Sequence, residues 1–128
     1  MTENISFNFE KLTVYQKSLD AADWVYESTT TFPKNEIYGV TSQFRRAVVS
    51  IALNIAEGSA RSKKDFRRFL DIAQGSVLEC VALTEICKRR NYLEESAVLR
   101  LRGIFSEISK MISGLKRGIG FSERDTTQ

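Results

Sequence analysis

Residues 62–90 read SKKDFRRFLDIAQGSVLECVALTEICKRR. Phe66, Phe69, Leu70, Ala73, Val77, Cys80, Val81 and Cys87 recur every three or four positions or multiples of that spacing, the period of an α-helix and not of a strand. Ser62, with Asp65 three places on, has the spacing of a capping box and opens the helix near Lys63. Its end falls near Arg90. A helix of this length needs neighbours to bury its stripe, so the flanking sequence decides the architecture.

Towards the N-terminus, Phe44, Ala47, Val48, Ile51 and Ile55 make a second stripe over about Thr41–Glu57, and Gly58 suits the left-handed position just past a helix end. Leu12, Tyr15, Leu19, Ala22 and Tyr26, with Val14, Ala21 and Val25 beside them, predict another helix over about Phe9–Thr30. Phe32-Pro33 stops it, because the residue before proline avoids the α region. Beyond Arg90, Leu101, Ile104, Phe105, Ile108, Met111, Ile112 and Leu115 predict a fourth helix over about Glu94–Lys116. Glu94 and Glu95 suit the positive end of its dipole, and Lys116 and Arg117 the negative end.

Short connections join antiparallel neighbours, so the expected fold is all-α, an antiparallel up-down-up-down four-helix bundle over residues 9–119. Residues 1–8 form an N-terminal extension and residues 120–128 a polar C-terminal tail. One proline in 128 residues permits long helices. With 42% apolar and 27% charged residues, the chain has a globular composition. No stretch approaches the roughly 20 apolar residues of a membrane span, and Met1–Glu10 lack the layout of a signal peptide. A cytoplasmic location is expected. Cys80 and Cys87, seven residues apart on one helix, are too far apart to bridge and read as buried thiols.

The third helix carries apolar residues outside its main stripe. Ile72, Leu83 and Ile86 point away from it, and Gly75 on the same outer face allows close approach. A helix apolar nearly all round is covered nearly all round. Self-association into a homo-oligomer is the economical cover; the fourth helix or the segment around Ile5 and Phe7 is the alternative.

Chemistry is sparse. There is no histidine, no glycine-rich phosphate loop and no clustering of carboxylates. No enzymatic activity, cofactor or metal is expected. The charge is uneven: residues 41–70 hold seven basic and two acidic side chains in a chain of net charge +3. Arg45 and Arg46 lie on the polar side of the second helix, and Arg61, Lys63, Lys64, Arg67 and Arg68 surround the start of the third. Such a block binds phosphates through charge, with RNA expected ahead of DNA. The competing reading is a solvated face, with Arg67 and Arg68 paired to Asp71 and Arg45 and Arg46 paired to acids of the first helix. The chain is then a structural scaffold or protein-interaction module. Asn54, Gln43 and Gln74 read as amides that fix helix register.

The segments Ser42-Gln43-Phe44-Arg45-Arg46-Ala47, Ser50-Ile51 and Asn54-Ile55-Ala56-Glu57-Gly58 resemble the signature of a bacterial family. Its members are four-helix proteins first noticed as products of intervening sequences in 23S ribosomal RNA genes, sometimes labelled S23 ribosomal proteins. Phe9-Glu10-Lys11-Leu12, Phe32-Pro33-Lys34, Tyr38-Gly39, Arg68-Phe69-Leu70 and Gly75-Ser76 extend the resemblance over about Phe9–Ile119. Ala52 stands where the family often has proline, and Leu53 where a small or polar residue is usual. The resemblance implies a four-helix bundle in a pentameric, barrel-like assembly. It is similar also to the accessory protein of diversity-generating retroelements, a basic pentamer that binds nucleic acid and a reverse transcriptase. It implies no catalytic residues.

Overall fold

A computed structural model describes the backbone of residues 5–126 and the side chains of residues 5–119. Residues 1–4 of the expected N-terminal extension, and the side chains of the expected tail, lie outside the described residues. A 3₁₀ turn, Asn8–Lys11, leads into α1 (Thr13–Thr29); a second, Lys34–Glu36, leads into α2 (Val40–Ser59); α3 (Lys63–Arg89) and α4 (Glu95–Thr126) follow. No strand occurs among the described residues. Each helix packs on its neighbour in sequence and α4 closes back on α1, while the diagonal pairs stay apart. That is the up-down-up-down four-helix bundle.

The centre is built from Phe44, Ile51, Ile55, Leu70, Leu101, Phe105, Ile108 and Ile112, all at most 1% exposed. Each such side chain contributes about 1.5–3 kcal/mol by leaving water. α2 and α4 present the faces their spacing predicts. α3 opens as expected, with the Ser62 hydroxyl accepting from the Asp65 amide. It closes at Asn91, whose φ of 62° lets the Tyr92 amide reach back to the Cys87 carbonyl over 2.9 Å.

Several expectations need correction. α1 starts at Thr13, because residues 8–11 wind as a 3₁₀ turn and Leu12 is extended. Its inner face is Val14, Ser18, Ala21, Val25 and Thr29, while Leu19 and Tyr26 are exposed. Ser18 and Thr29 return their hydroxyls to the carbonyls of Val14 and Val25, at 2.7 and 2.8 Å, so small polar residues serve as core there. Gly58 is helical, with no positive φ. A Cβ on it would lie 2.5 Å from Phe69 Cβ, so the glycine permits α2 and α3 to touch. Leu83 does not face outward: it is 3% exposed and belongs to the core. Ser76, about 20° away on the helical wheel, is buried too, so the inner arc of α3 spans about 140° with Leu83 at its edge. α4 runs to Thr126, past the expected end near Lys116; no proline interrupts it.

Candidate nucleic-acid interface

The seven basic residues of the 41–70 block fall into two groups. Arg45 and Arg46 sit near the start of α2, and α2 carries the chain about 21 Å from Arg45 to its last turn before the others begin. The remaining five gather where α2 ends and α3 starts.

At that corner, Arg61 pairs with Glu57 at 2.8 Å and Arg68 with Asp65 at 3.1 Å. Both guanidinium groups lie over the ring of Phe69, 5.3 and 5.8 Å from its centroid. Lys63 and Lys64 are exposed and make no ion pair among the described residues. Arg67 donates from Nη1 to the Lys116 carbonyl over 2.8 Å, pinning α3 to α4. Asp71 pairs with Lys116, not with Arg67 or Arg68 as the helical spacing predicts; a cation on the adjacent helix takes its carboxylate. Lys64, Arg67 and Arg68 line a shallow cleft of about 270 Å³ with Asp65 and Asp71.

The antiparallel register of α3 and α4 brings Lys116 to the corner. The sequence reading takes it only as a complement to a helix dipole; the signal for its position is which turn of α4 lies beside the first turns of α3. Arg61, Arg68 and Lys116 are paired there with Glu57, Asp65 and Asp71, while Lys63 and Lys64 make no ion pair among the described residues. Phe66 and Phe69 are half-buried against Gly58. Among the described residues the corner offers charge, and no exposed aromatic face on which a base could stack.

Arg45 is half-buried. Its Nε donates to the Thr29 hydroxyl over 2.8 Å, and its guanidinium lies 4.9 Å from the centroid of the Tyr26 ring. It thus meets α1 through a hydroxyl and a ring, and not through a carboxylate. Arg46 is exposed, in a polar groove of about 420 Å³ with Tyr38, Gln43, Ser50, Ser76 and Glu79.

Of the three amides read as fixing register, Gln74 bridges two helices, Asn54 acts within α2 on a serine that does, and Gln43 is exposed. Asn54 Nδ2 donates to the Ser50 carbonyl and hydroxyl at 2.8 and 3.0 Å, and Ser50 bonds Ser76 of α3 at 2.9 Å. Gln74 Nε2 reaches the Ser109 carbonyl and Ser113 hydroxyl of α4, both at 3.3 Å. Cys80 and Cys87 are free and buried, and burial pushes their thiols up to about 12 and about 11. Both are protonated at neutral pH, which removes them as nucleophiles. No group of three or more acidic or cysteine side chains converges to hold a metal among the described residues. No helix among them is long and apolar enough to cross a membrane.

On the outer face of α3, Ile72 and Ile86 are each 49% exposed and Leu78 62%. Gly75 has open space above it. Ile72, Gly75, Glu79, Ala82 and Ile86 follow one another at alternating spacings of three and four, so they form one straight seam.

Comparison with known proteins adds to this geometry. No curated protein matches the chain. A solved structure from Bacteroides thetaiotaomicron VPI-5482, described as a protein with unknown function from the S23 ribosomal protein family, is similar with a TM-score of 0.73 and 24% identity, over 81% of this chain and 95% of that one. At that identity the likeness speaks to the fold, which is the same four-helix arrangement. The model of the 23S rRNA-intervening sequence protein family matches residues 10–114, most of the bundle from the 3₁₀ turn before α1 to beyond the middle of α4. The chain belongs to the 23S rRNA-intervening sequence protein family.

Proposed function

We propose that the protein is a non-enzymatic, cytoplasmic homo-oligomer that binds RNA through the corner formed by α2, α3 and α4. The observation that carries this reading is the pair of exposed lysines there, Lys63 and Lys64, outside any ion pair among the described residues and beside Arg61, Arg68 and Lys116. Exposed charge suits phosphate backbones, bound with strong salt dependence. Arg46, on its open groove, adds a second contact along a longer strand; Arg45 is turned towards α1 and contributes less. Several copies in one assembly multiply a weak corner into useful affinity. The free, buried thiols suit a reducing compartment.

The seam of α3 is the surface through which copies meet, as the family resemblance to pentameric proteins implies. Two exposed large apolar residues on the seam, Ile72 and Ile86, with Leu78 exposed on its flank, are the support for it.

Filter binding of a structured RNA at two salt concentrations tests the function. The expected result is binding at low salt that weakens steeply as salt rises and is lost when Lys63, Lys64 and Arg68 are changed together to glutamate. Binding unaltered by that triple change refutes the corner as the site.

The seam and the ion pairs of Arg61 and Arg68 also favour a second reading, a scaffold or protein-interaction module without affinity for nucleic acid. It predicts a stable oligomer that ignores RNA at every salt concentration.

A further inference from the structure

At the end of the bundle away from the basic corner, the last turn of α1 and the first turns of α2 enclose a cleft of about 320 Å³. Its walls are Phe32, Pro33 and Ile37, and its polar groups include Lys34, Thr41 and Arg45; no carboxylate lines it. The volume is at the lower end of small-molecule sites.

Two features set the cleft apart from an ordinary surface dimple. Arg45 is fixed by the Thr29 hydroxyl and the Tyr26 ring, yet only its Nε has a hydrogen-bond partner among the described residues. A guanidinium carries five N–H donors in a rigid fork. Here the two terminal nitrogens stay unpaired on a side chain already held in place. One helical turn before it, on the same face of α2, Thr41 is 2% exposed and its hydroxyl has no hydrogen-bond partner. Buried hydroxyls normally have one.

We propose that this cleft binds a small oxyanion, a carboxylate or phosphate monoester carried on a compact apolar body. The free edge of the Arg45 fork holds the two oxygens in the bidentate manner that suits a planar guanidinium. Lys34 supplies the second positive charge at the mouth. Thr41 lines the cleft, and its unpartnered hydroxyl supplies a further donor to one oxygen. Phe32, Pro33 and Ile37 receive the apolar body. The inference does not rest on RNA binding, because the cleft and the basic corner lie at opposite ends of α2.

Benzoate and phenyl phosphate are the probes, titrated separately into the full chain and followed by ¹H–¹⁵N spectra, with sodium chloride at equal ionic strength as the reference. The expected result is a saturable shift of amides within residues 29–45 and of the Arg45 Nε–H, absent in chloride. Whichever probe saturates at lower concentration identifies the oxyanion. Arg45→Lys, which keeps the charge and loses the fork, weakens binding about tenfold. Thr41→Val, which keeps the shape and loses the hydroxyl, weakens it severalfold and serves as the test should Arg45→Lys disturb the fold. Shifts that stay linear to about 10 mM for both probes, well beyond a millimolar site, overturn the proposal. So does affinity unchanged in the folded variants.

Discussion

Tyr92, in the connection between α3 and α4, donates its hydroxyl to Glu36 Oε2 over 2.8 Å, across 56 residues of chain. The other oxygen of Glu36 accepts from the Val40 amide at 3.3 Å, at the start of α2. One carboxylate thus ties two connections at the same end of the bundle, and the Tyr92 ring packs against Phe32, 5.2 Å between centroids. Tyr92→Phe keeps the ring and removes the bond. It is expected to lower stability by about 1 kcal/mol, read from the midpoint of urea unfolding, with the far-ultraviolet dichroism unchanged.

The same link makes stability depend on pH. The Tyr92 hydroxyl, then the Val40 amide, hold the Glu36 carboxyl below its ordinary range. A carboxyl whose pKa is lower folded than unfolded binds its proton more readily in the unfolded chain. Its contribution is therefore complete above the unfolded value and is lost as pH falls through the folded one. Urea midpoints measured between pH 7 and pH 3 should fall less steeply for Glu36→Gln than for the parent. Parallel curves would show that Glu36 gives no such contribution.

Gly58 lies against Phe69 too closely for any side chain. The clash falls on Phe69 Cβ, an atom fixed to the α3 backbone, with Phe66 Cδ1 at 3.0 Å behind it. Gly58→Ala must push α2 and α3 apart, against the gain of about 1 kcal/mol that alanine brings to a helix interior. A net loss of about 1–3 kcal/mol is expected, in the range of overpacked cores. A more stable Gly58→Ala protein would place the α2–α3 contact elsewhere.

Helix existence and the inner faces of α2 and α4 are legible because large apolar side chains mark them without competition. Phe44, Ile51 and Ile55, or Leu101, Phe105 and Ile112, have no rival stripe on their helices. α1 was harder. Leu19 and Tyr26 outweigh Ser18 and Thr29 on any hydrophobicity scale, yet the smaller pair is buried because each hydroxyl is satisfied within its own helix. Leu83 is misplaced for a related reason: the buried small polar residue Ser76 carries the inner arc round to it. The basic corner was legible as far as it is local in sequence. Lys116 depends on the register of α4 against α3, which no short spacing records, and the separation of Arg45 from Arg61 depends on α2 being a continuous helix.

Ile72, Leu83 and Ile86 now make a contrast that dilution can resolve. Leu83→Ala hollows the core and is expected to cost about 2–5 kcal/mol at any protein concentration. Ile72→Asp and Ile86→Asp fall on half-exposed sites, where substitutions in a monomer usually stay within about 0.5 kcal/mol. If copies meet along the α3 seam, the two aspartates dissociate the assembly while each subunit stays folded, and light scattering reports a fall to monomer mass. An assembly that survives both changes does not use this seam.

Lys63 and Lys64 are the cleanest probes of RNA binding, because neither makes an ion pair within the described fold and their loss leaves the bundle unstrained. Each phosphate contact adds about 0.7–0.9 to the slope of log affinity against log salt concentration. Lys63→Ala with Lys64→Ala should therefore flatten that slope by roughly 1.5 for each copy of the corner that touches the strand. Asp71→Asn should act the other way. It removes a carboxylate from the cleft shared with Lys64, Arg67 and Arg68 and releases Lys116 from its ion pair, so affinity rises at low salt and the gain fades as screening grows. The two changes are opposite in sign at one location. A general loss of fold would weaken binding in both, and a non-specific effect of net charge would appear equally for Glu107→Gln, remote from the corner beside Lys17 on the α1–α4 face. Binding that answers Asp71 and the two lysines in opposite directions, and leaves Glu107 without effect, locates the strand on the α2–α3–α4 corner.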